Sequence, residues 1–302
     1  MATLKDWIVG IRVPTLPVSA APVVAGTGIA VWAGSVHWGK ALLCLAVALT
    51  LHIGENLSND YSDGVRGTDA ERVGPESLIM NGKASPRAVL TAALAFYALG
   101  SALGIWLVSM TGQWWLLIPG VLALLAAWFY AGGPRPYGYI GLGEVAVFVF
   151  FGLLAAAGTI YVQVGGVPAS GWIAAVCMGL LACALLVVDS IRDIPTDKVA
   201  GKRTIAVRLG GRRARILYLL MIVAAFIGAI VLSLFLWPFA WLFVLYVPSL
   251  VLCWRLVRDV CGIGRPPADE AGLVPARQNT AMAEILFGLA IFASYSVAYL
   301  LL

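Results

Sequence analysis

The stretch GWIAAVCMGLLACALLVVDSIRDIPTD, residues 171–197, decides how the rest of the chain is read. Its first eighteen residues carry no charge, and three aspartates and an arginine follow within the next nine. An uncharged apolar run of that length reads as a membrane-crossing helix. The run feeds directly into the acidic segment, so the carboxylates sit at a helix end near a membrane surface. Asp189 and Asp193 are one helical turn apart and share a face. Pro195 disfavours helix at Ile194, which puts Asp197 beyond the helix end.

The rest of the 302 residues repeats this pattern. Hydrophobic residues make up 61% of the chain and charged residues 12%, against about 25% charged in soluble domains. So little charge cannot cover a water-facing surface, and the lipid bilayer is the implied solvent. Nine apolar stretches are long enough to span it: 16–35, 39–57, 88–110, 113–131, 141–163, 171–190, 215–236, 237–256 and 281–302. The expected fold is an all-α, polytopic membrane protein of nine transmembrane helices, with no linker dividing 1–302 into separate domains. Residues 1–12 lack the apolar core and small-residue cleavage site of a signal peptide. The five cysteines are odd in number, lack metal-ligand spacing and mostly fall inside apolar runs, so they read as small buried side chains.

A net charge of +5 would suggest a nucleic-acid partner in a soluble protein. Here the distribution matters more. With nine spans and the N-terminus inside, nineteen of the twenty Lys and Arg residues fall on one side and only Lys40 on the other. Basic loops stay cytoplasmic, so the N-terminus and both acidic segments are expected in the cytoplasm, with the C-terminus outside. Nucleic acid is not an expected partner.

The other acidic segment is Asn56-Leu-Ser-Asn59-Asp60-Tyr-Ser-Asp63-Gly-Val-Arg66-Gly-Thr-Asp69, continuing the second apolar stretch. Asn56, Asp60 and Asp63 are spaced i, i+4, i+7 and project from one helix face. Carboxylates bunched at a membrane helix end repel one another and call for a cation. Two such clusters on one side suit Mg²⁺, which takes hard oxygen ligands and binds through one or two carboxylates plus substrate phosphates. The expected metal-facing set is Asn56, Asp60, Asp63, Asp189, Asp193 and Asp197. Arg66, Arg72, Arg192, Lys198, Lys202 and Arg203 would meet the remaining phosphate oxygens through charge-assisted hydrogen bonds. No phosphate-cradling Gly-rich loop, zinc motif or EF-hand is present in the sequence.

The segments RVPTLP (12–17), NDYSDGVRGTDAERVGP (59–75), GGPRPYGYIGLGEVAVFVFFG (132–152) and RDIPTDKVAGKRTIAVRLG (192–210) resemble the UbiA superfamily of intramembrane prenyltransferases, and most of all its MenA branch, the 1,4-dihydroxy-2-naphthoate polyprenyltransferases. The resemblance implies nine helices around a central cavity, with two Asp motifs at its cytoplasmic mouth binding Mg²⁺ and a prenyl diphosphate. It implies transfer of the prenyl chain to the dihydroxynaphthoate, which loses its carboxylate, as a step of menaquinone biosynthesis. By motif position it makes Asn56, Asp60, Asp63, Asp193 and Asp197 ligands, and Arg192 and Lys202 diphosphate contacts. The chain departs from the branch at Asp189-Ser190, where Asn-Asn is usual, at Glu55, where an apolar residue is common, and at Ile160, where Gln is common.

Ionising an allylic diphosphate leaves a carbocation that needs a dry cavity and can be stabilised by aromatic faces. Tyr130, Tyr137 and Tyr161 are the expected substrate-facing aromatics, with Tyr61, Tyr139 and Phe148 as further candidates. Glu144 is an intramembrane acid, functional by default or a helix N-terminal stabiliser, and His52 lies one turn before Asn56. A terpene cyclase on the same scaffold would use the same Asp motifs without an aromatic acceptor. An anionic-lipid transporter fits the acidic clusters poorly.

Overall fold

The computed structural model describes residues 2–67, 77–264 and 266–302. The described residues are mainly helical, and no strand occurs among them. The first helices are α1 (Leu4–Gly10), α2 (Pro17–Trp32), α3 (Trp38–Arg66) and α4 (Pro86–Thr111). There follow α5 (Leu117–Phe129), α6 (Gly143–Val147), α7 (Ala155–Val164) and α8 (Ala169–Arg192). The last are α9 (Ile194–Val199), α10 (Ile205–Leu209), α11 (Gly211–Leu234), α12 (Val247–Cys261) and α13 (Glu270–Leu300). A π-helical segment, Phe148–Leu154, joins α6 to α7 into one rod.

Local chemistry sets the ends. α1 starts on a capping box in which Thr3 and Asp6 exchange side-chain and backbone hydrogen bonds. The Ser85 hydroxyl caps α4, with Pro86 at its first position, where a missing N–H costs nothing. α3 runs on past the apolar stretch, carries its acidic residues in helical geometry, and stops at Gly67 in the left-handed conformation.

Among the described residues seven helical segments are long and apolar enough to cross a bilayer, and an eighth is reached if the helices over Leu4–Thr15 and α2, bent by 47°, count as one span. All nine apolar stretches of the sequence are helical, but nine spans is slightly more than this. The stretch at 16–35 yields a sixteen-residue helix because the chain turns at Pro14 and starts α2 at Pro17. That at 113–131 divides into a 3₁₀ turn, Trp114–Leu116, and the thirteen-residue α5. The chain is a multi-pass membrane protein.

α8 is the axis of the bundle. Its apolar window is 72% buried, against 22% for α4 at the periphery. It packs on α11 and α13, while α2 lies along α13 and α3 along α4. Met178, Leu181, Tyr218, Phe287 and Tyr295 are fully enclosed in the resulting core. Inside a bilayer such contacts hold through close packing rather than water exclusion. One of the tightest backbone approaches is at Gly152, where an added Cβ would overlap the backbone of Gly179 on α8. Gly152→Ala must therefore push α8 aside. We expect an overpacking cost of about 1–3 kcal/mol, read as a lower unfolding temperature in detergent.

Candidate functional site

The two acidic segments, more than a hundred residues apart in sequence, meet in one cavity of about 140 Å³. Asn56 and Asp63 reach it from α3, Asp189 from the end of α8, Asp193 from the junction that follows, and Asp197 from α9. α8 ends at Arg192, Asp193 caps it, and α9 restarts at Ile194 with Pro195 in its first turn. Asp197 does lie past the end of α8, but on a second short helix. Pro195 breaks the first helix and is tolerated at the start of the next.

Five carboxylates line this cavity, those of Glu55, Asp63, Asp189, Asp193 and Asp197, against three cations, Arg12, Lys202 and Arg277. Lys202 lies between the two motifs, 3.8 Å from Asp63 and 4.0 Å from Asp197, with its ammonium 4.5 Å over the Tyr139 ring. The Tyr139 hydroxyl donates to Asp63 at 2.5 Å, and Thr204 donates to Asp197 at 3.3 Å. The Asn56 amide nitrogen donates to the Ile11 carbonyl at 3.0 Å, so its oxygen is what it has left to offer a ligand. Asp189 lies between two guanidinium groups, 2.8 Å from Arg192 and 2.6 Å from Arg277. Arg192 also forks onto both oxygens of Asp193 at 2.6 and 2.8 Å.

Not every expected residue comes to the cavity. Asp60 is buried on the same helix but turns away and accepts the Leu78 backbone N–H at 3.0 Å. Arg192 is 2% exposed and directed into the protein by its two aspartates. Arg66 donates to the Ala131 and Gly133 carbonyls, tying the end of α3 to the loop after α5. Lys198 is exposed outside the cavity, and Arg203 uses its backbone N–H to bind the Tyr139 carbonyl at 2.7 Å. Arg72 and Asp69 lie outside the described residues. Tyr161 stands edge-on to Trp115 at 5.4 Å, away from the cavity. Glu144, 6% exposed, also lies away from it.

Below the polar cavity lies a larger apolar chamber of about 440 Å³, walled by α3, α4, α5 and the rod from α6 to α7. The two share His52, Glu55, Tyr130, Val147 and Phe151, so these residues form the passage between them. His52 is fixed by Ser19 at 2.5 Å and stands edge-on to Phe151. Tyr130 and Tyr137 pack edge to face, and Tyr137 donates to the Ala126 carbonyl. Burial and then the nearby Glu55 push the Tyr137 phenol above its ordinary range, so it stays protonated.

Three cavity residues carried little signal in the sequence: Arg12, Glu55 and Arg277. Arg12 adopts a left-handed backbone conformation (φ 57°, ψ 49°), which costs an L-residue about 1–2 kcal/mol. Its carbonyl accepts both the Thr15 N–H and hydroxyl, and these bonds hold the turn. Arg277 lies just outside the last apolar stretch, and its partner is 88 positions earlier. Glu55 stood out only as a departure from a motif.

Among the described residues no three His, Cys, Asp or Glu side chains are grouped closely enough to hold a metal ion by themselves. The donor set nonetheless suits Mg²⁺: hard oxygens in excess over cations, arranged on two sides of one cavity, with room for phosphate oxygens to complete the coordination.

A helical membrane bundle with an acidic cavity opening onto an apolar chamber suits an amphiphile with a polar head and an apolar tail. The chain belongs to the UbiA prenyltransferase family, matched over residues 19–261. It is 44% identical to the 1,4-dihydroxy-2-naphthoate octaprenyltransferase of Mycobacterium tuberculosis, over 96% of this chain and 97% of that one. It is 35% identical to the Escherichia coli protein of the same name, over 96% of each. Its fold matches that of a UbiA homolog from Archaeoglobus fulgidus solved with DMAPP and Mg²⁺, with a TM-score of 0.67 over 95% of this chain and 99% of that one, at 17% identity.

Proposed function

We propose that the protein transfers a polyprenyl group from its diphosphate to 1,4-dihydroxy-2-naphthoate, with loss of the acceptor carboxylate as CO₂, in menaquinone biosynthesis. The observation that carries this reading is the direct passage from a carboxylate-rich cavity to an apolar chamber, which fits a diphosphate head and an isoprenoid tail in line. The names of the full-length relatives support naphthoate as acceptor, and transfer over cyclisation.

Asn56, Asp63, Asp193 and Asp197 would hold Mg²⁺, with Asp60 and Asp189 steadying the two helix ends beside them. Bound there, the metal supplies positive charge against the departing pyrophosphate. Lys202 adds a charge-assisted hydrogen bond to the same oxygens. Val147 and Phe151 keep water from the allylic carbon, and the Tyr130 ring at the passage can stabilise developing positive charge. Lys198, Arg66 and Arg192 would act by shaping the loops around the diphosphate, and Arg72 remains a proposed contact. Tyr137 would serve the chamber wall, and Tyr161 would pack beneath it.

Purified protein with Mg²⁺, a prenyl diphosphate and the naphthoate should form prenylated naphthalenediol and release pyrophosphate. A hydrocarbon product formed without acceptor would overturn the transferase reading. Chelating the metal with EDTA should abolish turnover, and excess Mg²⁺ should restore it; turnover that persists in EDTA would remove metal from the site.

The same reading puts the N-terminus and both acidic segments in the cytoplasm and the C-terminus outside. The one-sided Lys and Arg distribution supports it, and protease access to a C-terminal tag in sealed vesicles of known orientation tests it.

A further inference from the structure

Two charged side chains in the polar cavity are left idle by the diphosphate chemistry. The Arg12 guanidinium lines the cavity and has no hydrogen bond or ion pair among the described residues. Glu55 lines both cavity and chamber, and its only hydrogen bond there is a long one, 3.4 Å, from the Asn59 amide. The other cavity carboxylates are engaged: Asp189 and Asp193 by arginines, Asp63 and Asp197 by Lys202, Tyr139 and Thr204. Opposite charges in so small a cavity would pair if they could reach one another. No ion pair joins them among the described residues: Arg12 stands on a left-handed turn held by Thr15, and Glu55 projects from α3.

A cation and a carboxylate held apart complement a ligand that carries both an anion and a hydrogen-bond donor. Position narrows the choice. The diphosphate head takes the Asp63, Asp193, Asp197 and Lys202 side of the cavity, and the isoprenoid tail takes the chamber. A ring attacking the first tail carbon must enter at the passage between them, which Glu55 and His52 line on both sides, while Arg12 lines the polar cavity.

We propose that Arg12 and Glu55 are the specificity-determining residues for the aromatic acceptor, Arg12 binding its carboxylate and Glu55 accepting the hydrogen bond of a ring hydroxyl. The proposal rests on the transferase reading above. It makes the acceptor class a hydroxyarenecarboxylate, oriented with its ring face toward the allylic carbon. Leaving either group unmatched strands a desolvated charge, which is how such a site rejects an analogue that lacks the partner group.

The test compares 1,4-dihydroxy-2-naphthoate with 1,4-naphthalenediol, which lacks the carboxylate. Arg12→Gln should raise KM for the naphthoate by at least about tenfold, the loss of one charge-assisted hydrogen bond, and should leave KM for the diol nearly unchanged. Glu55→Leu should raise KM for both acceptors, and Glu55→Gln, which keeps an accepting oxygen, should recover part of the loss. KM for the prenyl diphosphate should stay within about twofold in all three, since the lost contacts are to the acceptor alone. A prenyl-diphosphate KM that rises in step, or naphthoate and diol weakened equally by Arg12→Gln, would overturn the assignment. Should a variant not fold, the wild-type protein decides. Without prenyl diphosphate it should bind 1-hydroxy-2-naphthoate at least about tenfold more tightly than 1-naphthol, and equal affinities sink the proposal. If the wild type shows that preference yet makes no prenylated product, the transferase reading falls and the acceptor site stands.

Discussion

Asp63→Asn should lower prenyl transfer by on the order of a thousandfold, the scale seen when a preorganised electrostatic contact to a developing charge is removed. Asp63 carries this prediction because its change is clean. It lines the cavity, 7% exposed, and it accepts the Tyr139 hydroxyl, which an amide oxygen can still receive. The substitution therefore removes a charge without opening a hole and leaves the Tyr139 hydroxyl an acceptor. What it takes away is one side of the charge balance around Lys202, which lies within 4.0 Å of both Asp63 and Asp197. With Asp63 neutral, Lys202 has Asp197 as its one remaining carboxylate, and α3 keeps only the Asn56 amide of its two proposed metal ligands. The loss should appear in kcat and kcat/KM together, because the contact matters most as pyrophosphate leaves. The variant's unfolding temperature should stay near wild type. Turnover within tenfold of wild type would take Asp63 out of the metal and diphosphate site.

The sequence made parts of this site legible and hid others, for separable reasons. The rod 171–192 was readable because apolar length is a local property, and so was the shared face of Asn56 and Asp63, four and three positions either side of Asp60. Asp60 itself was not. It accepts the backbone N–H of Leu78, eighteen positions further along the chain, and does not line the cavity. Arg192 beside Asp193 looked like a pair reaching for phosphate. It is instead engaged by Asp189 and Asp193, and Asp189 is shared with Arg277, which the packing of α13 on α8 brings near. Tyr161 was expected to face the substrate as an aromatic suited to an allylic cation, but its ring stands against Trp115. The short α5 shows the same limit: 113–131 is apolar end to end, and composition does not reveal that Trp114–Leu116 coils separately as a 3₁₀ turn. Helix content and surface charge follow from local pattern, whereas side-chain direction follows from contacts between distant segments.

That direction makes Arg192 the residue where a contact and a strut can be told apart. Its side chain is 1% exposed and joins Asp189 and Asp193, while Arg277 supports Asp189 from the other side. Removing one member of a buried ionic group leaves the others desolvated without compensation, at about 3–5 kcal/mol. Arg192→Met keeps much of the volume and removes all of the charge, so it isolates that cost. It should lower the unfolding temperature in detergent by roughly 10 °C, taking about 2–4 °C per kcal/mol. Adding Asp189→Asn should return part of the loss, because one stranded carboxylate is then neutral, and a double-mutant cycle should give a clear coupling between the two positions. Kinetics then separate the roles. At a temperature where Arg192→Met is folded, KM for the prenyl diphosphate should stay within about threefold of wild type, while Lys202→Ala should raise it by at least about tenfold through a lost charge-assisted bond. The reverse order would put Arg192 on the diphosphate and make its inward position a feature of the ligand-free protein. The order expected here follows from geometry: a guanidinium already forked onto one aspartate and bridged to a second has few donors left to give a substrate.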